Sequence, residues 1–223
     1  LTSYEIVISG LKGGHSGIEI NKCRANANKL MGRLLHYIQD LNVSVSSIAG
    51  GEKMNAISKR AILNITLAQE QSEALESKVK DFEIMVRAEF ETADPGISVV
   101  TTKKDTVTKV FTKETAQNLM YILQLIPYGP QTMSANIPGL VESSSNIGVV
   151  EMDENEIEFN SAIRSSVSSL KREINHRIQA IANLTGATME LIADYPEWEF
   201  ETESKVREIM KDVYQEMFGK ELE

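Results

Sequence analysis

Val43-Ser44-Val45-Ser46-Ser47-Ile48-Ala49, a Gly50-Gly51 pair, and Ala61-Ile62-Leu63-Asn64-Ile65-Thr66-Leu67 form the stretch on which the fold turns. Both runs alternate apolar and polar side chains, the period of a strand with one face in a core. The glycine pair is a turn signal between them. Upstream, Tyr4-Glu5-Ile6-Val7-Ile8 reads as a strand. Ile18 to Leu41 reads as a helix, with Leu30, Leu34, Ile38 and Leu41 at helical spacing. Downstream, Leu75, Val79, Phe82, Val86 and Phe90 give Gln69 to Glu91 one apolar stripe, that of an amphipathic helix. Pro95-Gly96 ends it, and Ile97 to Thr102 returns as a strand. The order is β-α-β-β-α-β, the ferredoxin-like split βαβ.

The second half repeats most of this order. Thr112 caps a helix bearing Leu119, Ile122, Leu123 and Ile126, which ends at Pro127 and Gly129. Asn146 to Met152 and Glu156 to Ile163 form a hairpin about Asp153-Glu154-Asn155. Ser168 or Ser169 opens a helix with Leu170, Ile174, Ile178 and Ile181, stopped by Gly186, and Ala187 to Ala193 is the expected closing strand. The expected fold class is α+β: two tandem ferredoxin-like (βαββαβ-type) units, about 1–104 and 105–194, with an antiparallel sheet and helices on one face. Beyond Tyr195-Pro196 the chain changes character. It holds the single tryptophan, Trp198, and a helix whose Val206, Ile209, Met210, Val213 and Met217 need cover.

The 223 residues can bury a sizeable core, and 42% hydrophobic with 25% charged residues is ordinary for a globular protein. A net charge of -9 without a Lys/Arg cluster argues against a nucleic-acid surface. The single cysteine, Cys23, excludes an internal disulfide, agrees with a cytoplasmic setting, and reads as a packing residue of the first helix. No apolar run is long enough to span a membrane. Leu1-Thr2-Ser3 directly before a strand and Glu221-Leu222-Glu223 just after Gly219 read as the cut ends of a piece from a longer chain.

Gly13-Gly14-His15-Ser16-Gly17 carries the strongest chemical signal. It places a histidine among glycines at the expected start of the first helix, where free N–H groups favour an anion and an imidazole can donate a hydrogen bond or proton. The competing reading is a plain turn with a Ser16-x-x-Glu19 capping box. Three further loops hold polar groups: Asn55 beyond the Gly50-Gly51 turn, Ser143-Ser144-Ser145-Asn146, and Arg164-Ser165-Ser166, whose arginine can clamp a carboxylate with two hydrogen bonds. Each alone also fits a turn or cap. His15, His36 and His176 lie far apart without metal-ligand spacing, and no P-loop, G-x-S-x-G or G-x-G-x-x-G is present.

Several stretches match a known family in order over nearly the whole chain: Ile8-Ser9-Gly10-Leu11-Lys12-Gly13-Gly14-His15-Ser16-Gly17, Asn26-Ala27-Asn28-Lys29-Leu30, Gly50-Gly51 with Asn55-Ala56-Ile57, Val141-Glu142-Ser143-Ser144-Ser145-Asn146, Ile163-Arg164-Ser165, Tyr195-Pro196 with Trp198, and Phe218-Gly219-Lys220. On these the sequence resembles the aminoacyl-histidine dipeptidases of the M20 metallopeptidase family. The resemblance implies a lid and dimerisation domain over 1–194 and, over 195–223, the start of a return into a two-zinc catalytic domain. The zinc ligands would lie outside this chain, which alone would bind no zinc and hydrolyse nothing. The partners it implies are a dipeptide of the Xaa-His type, the catalytic domain of the parent chain and a second copy. By matching motif, His15 resembles the lid histidine that steadies the scissile carbonyl's oxyanion. Asn55 and Arg164 resemble the groups that hold the substrate carboxylate. Met54 and Ser58 depart from the family's arginine and proline and bear on the Asn55 loop. Two alternatives remain at this point: a free-standing ferredoxin-like module binding a small ligand, and a purely structural dimerisation domain.

Overall fold

Thr2–Ser9 (β1) runs between two antiparallel neighbours, Ala61–Leu67 (β5) and Ser98–Lys104 (β6), with Ile6 facing Leu63 on one side and Thr101 on the other. The computed structural model describes residues 1–105, 109–199, 201 and 203–221. Ser44–Gly50 (β3) pairs the far edge of β5, and its register slips between Val45 and Ser47. That bulge explains the doubled serine in the alternation: the extra residue lets both Val45 and Ile48 face the core. The order β6-β1-β5-β3, with helices Ala27–Tyr37 (α1) and Ser72–Glu89 (α2) as crossovers, is a complete βαββαβ unit.

The same sheet continues into the second half. Val141–Met152 (β8) meets β3 at Gly50–Val150 and pairs along its opposite edge with Ile157–Ser165 (β9). Gly129–Met133 (β7) joins the start of β8 on the β3 side. Lys113–Leu125 (α3) and Ser168–Thr185 (α4) extend the helix layer, in the spatial order α2-α1-α3-α4. Thr112 accepts the Thr115 N–H at 3.1 Å as the cap of α3, and Gly186 ends α4 at φ 69°. The core lies between this layer and the sheet, with Ile6, Leu34, Leu63, Phe82 and Leu123 completely buried. Lys29 crosses from α1 to the C-terminus of α3, where its ammonium donates to the carbonyls of Leu123, Gln124 and Ile126 at 2.6, 2.8 and 2.7 Å. Burial pushes this ammonium down to about 8.

The fold class is therefore the expected antiparallel α+β, with three corrections in detail. The helix expected over Ile18 to Leu41 is only Ala27–Tyr37, capped by Asn26, with single 3-10 turns at Ile20–Lys22 and Gln39–Leu41 on either side. Cys23 is consequently exposed in a left-handed conformation at φ 51°, not packed in a helix. Ala187 to Ala193 forms no strand. In the first unit the closing strand hydrogen-bonds to β1, and among the described residues no further strand lies between β6 and α3 to offer such an edge. Leu191 and Ile192 stay exposed instead. Lys205–Phe218 (α5) follows, capped by Ser204, with none of its residues buried.

Candidate functional site

His15 does not sit at a helix start, because α1 begins only at Ala27. Gly14–His15 (β2) instead pairs antiparallel with Ala56–Ile57 (β4), and the Ser16 N–H donates to the Asn55 carbonyl at 3.0 Å. The local order comes from His15 itself. Its Nδ1 accepts the N–H groups of Gly17 and Ile18 at 3.1 and 3.2 Å, so the ring's outward proton resides on Nε2. Glu19 returns the bond, its Oε2 accepting the His15 N–H at 3.0 Å. This has the logic of a capping box with His15, rather than Ser16, in the cap position, and the Ser16 hydroxyl has no partner among the described residues. The Lys22 ammonium at 2.7 Å, the His15 N–H and Arg24 at 3.2 Å hold the Glu19 carboxyl down to about 2. Arg24 also donates to the Gly13 carbonyl.

Arg164 reaches the same place from the other half of the chain. It stands near the end of β9, opposite Ser144. Gly17 is where it meets His15: a Cβ there would lie 3.0 Å from Arg164 Nε and 3.2 Å from His15 Cε1. Only the missing side chain lets both groups close on this point. The Arg164 Nε is buried with no acceptor among the described residues. A buried N–H without a partner is costly, and one on a guanidinium calls for an anion.

Asn55 is held from beneath. Gly148 of β8 lies directly under Met54, whose Cα and C atoms would both be 2.6 Å from a Cβ at that glycine. Beside it, Asn146 Nδ2 donates to the carbonyls of Met54 and Ala56 at 3.1 and 2.9 Å, straddling Asn55. Asn146 Oδ1 accepts from Asn26 Nδ2 at 3.2 Å, while Asn26 Oδ1 caps α1 by accepting the N–H groups of Asn28 and Lys29. Both asparagines are fully buried, so this network ties the helix start, the sheet and the Asn55 loop into one body. Asn55 and His15 line one cleft of about 560 Å³, together with Lys12, Lys53, Lys59 and Arg60 against the single carboxylate of Glu52. In a chain of net charge -9, such a concentration of cations favours an anionic ligand.

The structure thus gathers all three residues singled out in the sequence: His15 with Arg164 at Gly17, and His15 with Asn55 across the β2–β4 bridge. Ser143, Ser144 and Ser145 are not a loop but buried positions of β8. The role of Asn146 as a clamp was hidden because its partner Asn26 lies far away in the chain. His36 and His176 are exposed on helices, and among the described residues no group of three or more His, Cys, Asp or Glu could hold a metal ion. No helix among the described residues is long and apolar enough to cross a membrane.

Residues 6–94 match the family described as the peptidase dimerisation domain of M20 peptidases. The chain is 29% identical over 219 residues to the cytosol non-specific dipeptidase of Escherichia coli (strain K12), covering 98% of this chain and 45% of that protein. The crystal structure of aminoacylhistidine dipeptidase from Vibrio alginolyticus superposes with a TM-score of 0.92 at 30% identity, covering 99% of this chain and 45% of that one. The chain spans about half the length of the relatives it matches.

Proposed function

We propose that the chain, whose residues 6–94 match the peptidase dimerisation domain family and which is similar over its length to a dipeptidase, is the lid of a two-zinc metallo-dipeptidase acting on Xaa-His-type dipeptides. The observation that carries this reading is the meeting of His15 and Arg164 at Gly17, one with its free N–H on Nε2 and the other with a buried Nε lacking an acceptor. In this reading Arg164 binds the substrate's terminal carboxylate with its planar fork, and the Asn55 amide adds a donor. The Nε2–H of His15 then meets the carbonyl oxygen of the scissile bond. A donor fixed there before reaction stabilises charge that appears only in the transition state. The two clamps set the distance between carboxylate and carbonyl, which selects a short substrate.

The zinc ions belong to this reading as ions held elsewhere in the longer protein. Residues 1–194 form the lid, which also supports a homodimer, and 195–223 lead back to the catalytic domain, whose surface covers the apolar face of α5. The setting is cytoplasmic. The test is His15→Ala in the longer protein. One oxyanion donor is worth about 10² to 10³-fold in kcat, or roughly 3 to 4 kcal/mol. An unchanged kcat with a lowered melting temperature would leave His15 as the cap of its own loop and nothing more.

A further inference from the structure

The segment that carries His15 leaves the sheet after β1, makes little regular structure, and returns at the start of α1. Both of its ends are fastened to one side chain. Asp94, completely buried, accepts the Lys12 N–H on Oδ1 at 2.6 Å and the Ala25 N–H on Oδ2 at 2.7 Å. Asp94 is itself anchored just beyond α2: its N–H donates to the Phe90 carbonyl at 2.8 Å, and its carbonyl accepts the Ile97 N–H at 3.2 Å. We propose that Asp94 is a positioning residue for His15, a buried carboxylate that closes the 12–25 loop and so fixes where the imidazole stands. This rests on the reading of His15 as the oxyanion donor.

The link from Asp94 to the imidazole can be followed atom by atom. Ala25 adjoins Arg24, whose carbonyl accepts the Tyr128 hydroxyl at 2.6 Å. The Arg24 guanidinium donates to the Gly13 carbonyl and pairs with Glu19 Oε1 at 3.2 Å. Glu19 Oε2 in turn holds the His15 N–H. A shift of Ala25 therefore moves Arg24, which pulls the backbone on both sides of His15. At the other end, a freed Lys12 loosens the run into Gly13 and Gly14. Only a carboxylate fits this role. It accepts with both oxygens, whereas an asparagine has one acceptor and would turn its amide N–H groups against one of the two backbone donors. Charge-assisted bonds of this length are also the stronger kind.

The experiment is a double-mutant cycle of Asp94→Asn with His15→Ala in the longer protein, with Leu75→Ala as a control that destabilises α2 without touching the loop. Asp94→Asn should lower kcat about tenfold or more while KM changes less than about threefold, because a displacement well under 1 Å already matters at a reacting centre. In the His15→Ala background the same substitution should cost nothing further, since there is no longer an imidazole to position. Leu75→Ala should leave kcat unchanged at temperatures where the protein stays folded. If Asp94→Asn folds poorly, Asp94→Glu, which keeps both acceptors, takes its place in the cycle with an intermediate loss of kcat. Equal losses from Asp94→Asn with and without His15, or no loss while His15→Ala is impaired, overturn the role of Asp94 alone. An unimpaired His15→Ala overturns it together with the oxyanion reading.

Discussion

Gly17→Ala should separate stability from activity. Gly17 is not among the glycines with positive φ, so alanine meets no backbone strain there. A less flexible unfolded chain then stabilises the protein by about 0.4 to 1 kcal/mol. The added methyl has no room, however. It would stand 3.0 and 3.1 Å from Arg164 Nε and Cδ and 3.2 Å from His15 Cε1. Comfortable carbon contacts lie at roughly 3.5 to 4.0 Å, so the arginine and the imidazole must each retreat by about 0.5 Å. Functional groups tolerate displacements of about that size, and 1 Å costs on the order of 100-fold. The expected outcome is a fall of about tenfold in kcat/KM, equivalent to about 1.4 kcal/mol, with an unchanged or slightly raised melting temperature. Steady-state kinetics and thermal unfolding of the longer protein measure both. Undiminished kcat/KM would show that the contact at Gly17 sets neither group, and the reasoning would fail.

Two further outcomes follow from the surrounding contacts. Asn146→Leu removes two donations to the Asn55 loop and leaves two part-buried carbonyls without that donor, so it should destabilise by about 1 to 3 kcal/mol in urea unfolding; a loss well under about 1 kcal/mol would mean the network does not clamp the loop. Acid should loosen the His15 loop through Glu19, whose carboxyl is held at about 2 in the folded chain against an ordinary 4.5. A depressed carboxyl contributes stability that is complete above the ordinary value and is lost as pH falls toward about 2. Hydrogen exchange at the His15 amide, which donates to Glu19 Oε2, should therefore quicken across that window before β1 opens, and Glu19→Gln should abolish the effect; simultaneous exchange of loop and sheet would contradict it.

What the sequence revealed depended on how local its causes were. The alternation of Val43 to Ala49 and Ala61 to Leu67 marked two strands to within a residue, and the doubled Ser46-Ser47 was the trace of the bulge. Thr112 and Gly186 marked helix ends because caps act on neighbouring amides. The run from Ile18 to Leu41 misled because its spacing was helical while its conformation was set from afar. Asp94 grips Lys12 and Ala25, and Ile20 is buried while Ile18 stays in solvent. Asn146 looked like a loop amide because Asn26, its buried partner, belongs to the start of another element. His15, Asn55 and Arg164 were legible as polar groups at turns and through a family resemblance. Their meeting was not, since it needs Gly17 and Gly148 to leave space at crossings of distant segments.

Whether Arg164 holds the terminal carboxylate of a short substrate while His15 meets its scissile carbonyl is decided by Arg164→Lys in the longer protein, assayed with a dipeptide and its C-terminal amide. Lysine keeps the charge but cannot offer the two parallel hydrogen bonds of the guanidinium. In Arg164→Lys, kcat/KM for the free acid should fall nearly as far as with Arg164→Ala, while the amide, already a poor substrate, should lose little more. Equal losses for acid and amide would make Arg164 a structural residue of β9 and contradict the carboxylate clamp.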